Sequence, residues 1–298
     1  MKIILIDSNP IIVKCWQIHY SNILKHIKTN NLQLIYNHEY QFYNEPIETM
    51  VQTHKFTGTT SIVTPTNSLS YMGGGFDLYL LKGMLLGTSI TNYKYLENII
   101  QQHQMINNHG YLTPNTIYKI DLVKLLQQKY DYRASTIYHN WNVVEMAQLP
   151  TMIVPEPIHQ ITHIFDGLWN LLHEYHQNNI DNLVIPGIGT GYGHLDEFES
   201  TKIMIFTFFI YNLNFNQTRL DQLKKSVLIL FFFNKDYHCL RNEFEIKEIE
   251  EYIVTEYGRA RRENLGEQGK VMEFDELFKC VKLEPSIKPS SDSEMVRE

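Results

Sequence analysis

The chain has little cysteine: Cys15, Cys239 and Cys280 in 298 residues. They lie far apart, are odd in number and form no Cys-x-x-Cys pair, which argues against a disulfide framework and a cysteine-based zinc module. Reduced thiols in a cytoplasmic or nuclear setting are the expectation. Positive charge is also scarce. Twenty-six Lys and Arg against 33 Asp and Glu leave a formal net charge of −7. A general nucleic-acid binder or an anionic-membrane binder needs the opposite field, so neither nucleic acid nor membrane is expected as a partner. Long apolar runs are missing too. Ile203–Ile210 and Val227–Phe233 fall well short of the ~20 residues that cross a bilayer, and Asp7 interrupts MKIILID before it resembles a signal peptide. No G-x-G-x-x-G and no G-x-x-x-x-G-K-[ST] occurs. The Cys-x5-Arg loop and Asp-x-Asp pair of two phosphatase classes are absent as well. Nothing in the sequence calls for a cofactor.

What remains is a chain 43% hydrophobic and 20% charged, with enough apolar residues for a sizeable core. Lys2–Ile6 reads as a buried strand, and Asp7-Ser8-Asn9-Pro10 as a helix start with a capping side chain and proline at the first helical position. Ile12, Cys15, Trp16 and Ile23 then share a helical face with His19. Further strands are expected at Leu32–Tyr36, Ile62–Thr64, within Asn142–Ile153, at Val184-Ile185 and over the apolar run Ser226–Phe233. Residues 40–60 read as loop with a helical turn near Glu48, and Lys124–Asn140 as an insertion. Helices are expected over Lys94–Gln104, Ile158–Tyr175 and Thr201–Asn214. The Ile158–Tyr175 helix is one-sided, with apolar residues at 158, 161, 164, 165, 168, 171 and 172. Strands alternating with helices mark a layered α/β domain over residues 1–236. Residues 237–282 read as a charged helical extension, and 283–298, rich in Ser, Pro and Glu, as a disordered tail.

Two segments carry the chemistry. Ser61–Asp77, SIVTPTNSLSYMGGGFD, runs from an apolar strand through Gly73, Gly74 and Gly75 into the apolar helix LYLLKGMLL. Leu183–Gly193, LVIPGIGTGYG, runs from a strand through Gly187, Gly189, Gly191 and Gly193, with Thr190 and Tyr192 between them. Strand, glycine loop and helix together offer main-chain N–H groups to an anion, because glycine permits close approach and a helix start has unspent donors. Two such units in one chain point to two ends of one phosphate-containing ligand. Metal-binding patterns are weaker. His173-Glu174-Tyr175-His176 lacks the i, i+4 histidine spacing of a zinc helix. His159 and His163 have that spacing but lie off the apolar stripe, so no metal site is expected.

These residues resemble the macrodomain (Appr-1″-p processing) family, whose members bind ADP-ribose and its relatives. TPTNSLSYMGGGFD corresponds to the family's asparagine-containing segment and first glycine loop, and PGIGTGYG to its phosphate-cradling loop. IDSNP and LPTMIVPEP extend the likeness to a divergent branch with fungal members, regarded as phosphatases of ADP-ribose 1″-phosphate, a by-product of tRNA splicing. The four segments fall in order across roughly residues 1–235. The resemblance implies a three-layer α/β/α sandwich with a mixed central sheet. It also implies roles for named residues. Asn67 would bond the distal ribose, Gly73, Gly74 and Gly75 would wrap that ribose and the adjoining phosphate, and Asp77 would sit near the 1″ position. Gly187, Gly189, Thr190, Gly191, Tyr192 and Gly193 would hold the diphosphate, and Pro150, Thr151 and Met152 would line the pocket. Glu39 is the candidate for adenine, and His194 for the acid that protonates a leaving oxygen. Thr64-Pro65-Thr66-Asn67 stands where the family usually has Asn-Ala-Ala-Asn, keeping the last asparagine. Three activities stay open: a phosphatase of ADP-ribose 1″-phosphate, a hydrolase acting on ADP-ribosylated protein, and a reader of ADP-ribose without turnover.

Overall fold

A computed structural model of the protein describes residues 1–214, 219–255 and 270–283. These fall into two compact units. The first takes residues 1–24, 34–213 and 270–271; the second takes 25–33 and the remaining described residues from 214 onward. The boundary expected after 236 coincides with no edge of either unit, and the expected tail at 283–298 lies, after its first residue, outside the described residues.

The first unit is built on a six-stranded sheet in the order β2-β1-β6-β3-β5-β4. The strands are β1 (Lys2–Ile6), β2 (Glu39–Tyr43), β3 (Thr60–Thr64), β4 (Tyr118–Asp121), β5 (Val143–Gln148) and β6 (Asn182–Pro186). All neighbours are parallel except β4, which runs antiparallel to β5 at one edge. The sheet is therefore mixed. Its central strands β3 and β6 are buried at every position, as parallel strands covered on two sides must be.

Along β1, Ile4 and Ile6 enter one core together with Ile62, Val184 and Met146. Helices α2 (Ile47–Thr53), α3 (Gly75–Leu85), α4 (Tyr93–Asn108), α5 (Leu122–Leu126) and α6 (Thr136–Trp141) close that face. The opposite face meets α1 (Pro10–Thr29), α7 (Thr162–Tyr175) and α8 (Glu197–Asn212). Tyr40 of β2 packs there on Tyr20 of α1 and Phe208 of α8. Ser61 of β3 meets the hydroxyl of Tyr175 of α7 at 2.7 Å. Helix, sheet, helix is the α/β/α layering expected.

Several elements differ from the sequence reading. Leu32–Tyr36 is not a strand: Leu34 makes a single bridge to Leu213, and the edge strand is Glu39–Tyr43, only partly buried. Residues 47–53, read as mostly loop, form α2. Residues 124–140, read as an insertion, pack into the core, where Leu126, Tyr132 and Ile137 are fully buried. His159 precedes α7 while His163 lies in its first turn, so the pair shares no helix.

In the second unit, the expected strand Ser226–Phe233 is helical up to Phe232 and forms the second half of α9 (Arg219–Phe232). Its buried apolar residues recur at 223, 227, 228, 231 and 232, a helical spacing, with Ile229 and Leu230 between them half-buried. Phe232 of α9 stacks on Phe274 of α11 (Phe274–Cys280) with ring centroids 6.0 Å apart, and α10 (Glu243–Glu250) also packs on α9. His26 stacks on Phe278 and lies 2.9 Å from the carboxylate of Asp275.

Candidate functional site

β6 and β3 are adjacent and parallel, with Ser61 opposite Leu183 and Ile62 opposite Val184. Both glycine loops therefore leave the same end of the sheet side by side, and β1 delivers Asp7-Ser8-Asn9 next to them. The chain order reverses across these strands, where open α/β sheets form their ligand crevice. A cleft of about 780 Å³ lies there, within the size range of small-molecule sites. It is lined by Gly73, Gly74, Gly75, Asp77, Asn67, Thr151 and Met152 from one side. Gly187, Gly189, Thr190, Gly191, Tyr192 and Gly193 line it from the other.

The first loop is pinned before it reaches the glycines. Thr151 N–H donates to the Thr66 carbonyl at 3.1 Å, and Ser68 N–H to the Met152 carbonyl at 2.8 Å. Asn67 closes its own turn. Its Oδ1 accepts the N–H groups of Leu69 and Tyr71, and its Nδ2 donates to the Tyr71 carbonyl at 2.7 Å. The asparagine thus shapes the loop, leaving one amide hydrogen for any ligand. Gly74 caps α3 without a side-chain bond, so the first N–H groups of that helix keep their donors at the cleft. Gly75 has φ +58°, a left-handed conformation that glycine adopts without strain.

The second loop is equally constrained. Gly189 has φ +80°, and a Cβ on Gly193 would sit 2.5 Å from the Gly189 carbonyl oxygen. Gly187 N–H donates to the Asp7 carboxylate at 3.2 Å, which also accepts from Asn9 N–H at 2.8 Å. Asp7 thereby ties the β1 turn to the β6 loop. Burial raises its pKa, and the donors from Asn9, Gly187 and Ser8 oppose that rise. The two glycine loops meet over the cleft, because a Cβ on Gly74 would lie 2.8 Å from the Tyr192 hydroxyl.

Asp77 lies in the first turn of α3, 7% exposed. Burial pushes its carboxyl up to about 7, while a hydrogen bond from the Thr64 hydroxyl and the nearby Thr66 hydroxyl pull it down and the charge of Glu97 adds to the rise. A carboxyl half-ionised near neutral pH can take or give a proton there.

Three expected site residues stand elsewhere. Glu39 is exposed at the start of β2, beside Lys2 at 3.8 Å, while the cleft lies past the strand ends. His194 is exposed, with φ +52°, and does not line the cleft. Pro150 is buried behind it, its carbonyl accepting from Asn115 N–H at 2.8 Å. The cleft instead draws in residues that sequence reasoning passed over, among them Asp7, Glu45, Glu48, Tyr71, Phe76 and Tyr79. The signal for Asp7 was visible as the helix-start segment after β1. For Glu45 and Glu48 the sequence offered only a helical turn near Glu48 in a segment otherwise read as loop, with nothing to aim either carboxylate at the cleft. Among the described residues, no helix is long and apolar enough to cross a membrane.

A solved structure, the macrodomain of Mycobacterium tuberculosis DarG, is similar at 19% sequence identity over 50% of this chain and 80% of its own, with a TM-score of 0.35. The family model described as the macro-like domain matches residues 1–251, a span that contains every strand of the sheet and the whole cleft, and the chain therefore belongs to the macro-like domain family.

Proposed function

We propose that the cleft binds an ADP-ribose-type ligand and that the protein hydrolyses ADP-ribose 1″-phosphate to ADP-ribose and phosphate. Family membership supports the ligand class. The observation that carries the reading is the convergence of two glycine loops on neighbouring parallel strands, close enough for Tyr192 to reach Gly74. Main-chain N–H groups from Gly189–Gly193 and from the uncapped start of α3 hold the diphosphate without a cationic side chain. This suits a chain of net charge −7. Asp77, poised near pH 7, is the acid–base group at the distal end, directing water at the phosphate while loop amides stabilise the developing charge. The resemblance of IDSNP and LPTMIVPEP to the divergent branch regarded as carrying this chemistry supports the phosphatase reading.

A second reading, binding without turnover, is favoured by the exclusion of His194 from the cleft and by the closed hydrogen bonding of Asn67. The same Asp77 also suits a third, release of ADP-ribose from modified protein. One set of assays separates them. Purified protein is given ADP-ribose 1″-phosphate, a mono-ADP-ribosylated protein, or ADP-ribose in a calorimeter. Release of free phosphate that is lost in Asp77→Ala is the expected result. Heat of binding without phosphate release leaves a reader, release of ADP-ribose from protein leaves the hydrolase, and no heat at all removes the ligand class.

A further inference from the structure

Resting on that reading of the cleft, we propose that Glu97 and Lys94 of α4 are a positioning pair that fixes the first glycine loop from behind and presents a negative charge to Asp77. Glu97 is 2% exposed. A carboxylate so deeply buried is costly unless its oxygens are matched, and here both are. One accepts the N–H of Met72 at 2.8 Å and the other the Lys94 ammonium at 2.6 Å. Gln101, one turn further along α4, donates to the Ser70 carbonyl at 3.3 Å. Two α4 side chains, Glu97 and Gln101, thus hold Met72 and Ser70 where the loop enters its glycines, and Lys94 braces Glu97. A Cβ on Gly73 would lie 3.6 Å from the Lys94 nitrogen and 3.9 Å from Glu97 Oε1, which places the pair directly behind that glycine. Neither residue lines the cleft, so both act through the loop.

The electrostatic half follows from the same placement. Asp77 is faced by the Thr64 and Thr66 hydroxyls and, from α4, by the charge of Glu97. Glu97 is faced in turn by Lys94, itself near Tyr71 and Tyr93. Burial is the main cause of the raised Asp77 pKa, and the charge of Glu97, whose ammonium partner is half-exposed, adds to that rise.

The test needs no ligand. Carboxyl-carbon NMR of the ligand-free protein follows the titration of Asp77 between pH 5 and 9 in the wild type, Glu97→Gln and Lys94→Met. Glu97→Gln keeps an oxygen for Met72 and removes the charge, so the Asp77 midpoint should fall, by about half a pH unit. Lys94→Met leaves the charge of Glu97 uncompensated, so the midpoint should rise. A midpoint unmoved in both, or moved the same way in both, overturns the charge coupling. Amide exchange reads the other half: Met72 N–H stays protected in Glu97→Gln and loses protection in Glu97→Ala. Equal protection in all forms overturns the positioning role. Because ADP-ribose is absent from both measurements, its failure to bind the wild type would count against the proposed ligand alone.

Discussion

Asp77→Asn offers the most quantitative perturbation. The carboxyl titrates near 7 in the folded protein against an ordinary 3.8. Between those values the folded state holds a proton that the unfolded chain has released. Stability from this group is therefore complete below about pH 4, falls as pH rises, and is gone above about pH 7. A gap of roughly three units at ~1.4 kcal/mol each makes the ionised aspartate a burden of about 4 kcal/mol at alkaline pH. Asparagine keeps an oxygen for the Thr64 hydroxyl and never ionises. Urea unfolding should find Asp77→Asn close to the wild type at pH 4 and more stable by a few kcal/mol at pH 8.5. The same variant should release no phosphate from ADP-ribose 1″-phosphate. A stability difference between the two proteins that stays constant from pH 4 to 8.5 would refute the assignment of a raised pKa to this carboxyl.

Other substitutions probe the loops and the core. Gly74 has an extended backbone, φ −153° and ψ 167°, which alanine shares without strain. The added methyl meets the exposed end of Tyr192, so Gly74→Ala should change stability by under ~0.5 kcal/mol yet weaken ADP-ribose at least about tenfold in calorimetry. Removing the obstructing ring in Gly74→Ala/Tyr192→Ala should leave affinity coupled rather than additive, as residues in contact behave; a double-mutant cycle with no coupling term would contradict the contact. His194→Asn, which tolerates the same positive φ, should leave binding and phosphate release at wild-type levels. Tyr175 is buried and its hydroxyl serves both Glu145 and Ser61, while the same Glu145 oxygen keeps the Ser61 donor, so Tyr175→Phe should cost ~0.5–1.5 kcal/mol in urea titrations, the worth of one lost hydrogen bond.

The parts legible in the sequence were those where local and tertiary demands agree. β1, the capped start of α1 and the one-sided α7 announce themselves because a buried strand or half-buried helix must show its period. Both glycine loops were visible for a similar reason: close contacts such as Gly193 against Gly189 leave no room for a Cβ. The misreadings come from places where tertiary context decides. The run Ser226–Phe233 is apolar at every position but the first, which carries no period and so does not distinguish a helix from an interior strand. Edge strand β2 has the polar residues Glu39 and Gln41 with half-exposed aromatics, so it lacks the signature of the central strands. The apolar residues just before it read as a strand yet pair only at Leu34. At the site, the glycines and Asp77 followed from the chain itself, while the arrival of Glu45, Glu48 and Tyr79 depends on how α2 and α3 pack. The carriage of Glu97 to the back of Gly73 is likewise a product of packing, with no mark in the local sequence.

The central claim is that one diphosphate is gripped by main-chain nitrogens from both turns at once. Amide NMR during titration with ADP-ribose tests it most directly. The account predicts that the N–H resonances of Gly73–Gly75 and of Gly187–Gly193 move together along one saturating curve, with the amide of Glu39 still. Movement of one loop without the other, or shifts gathered around β2, would contradict it.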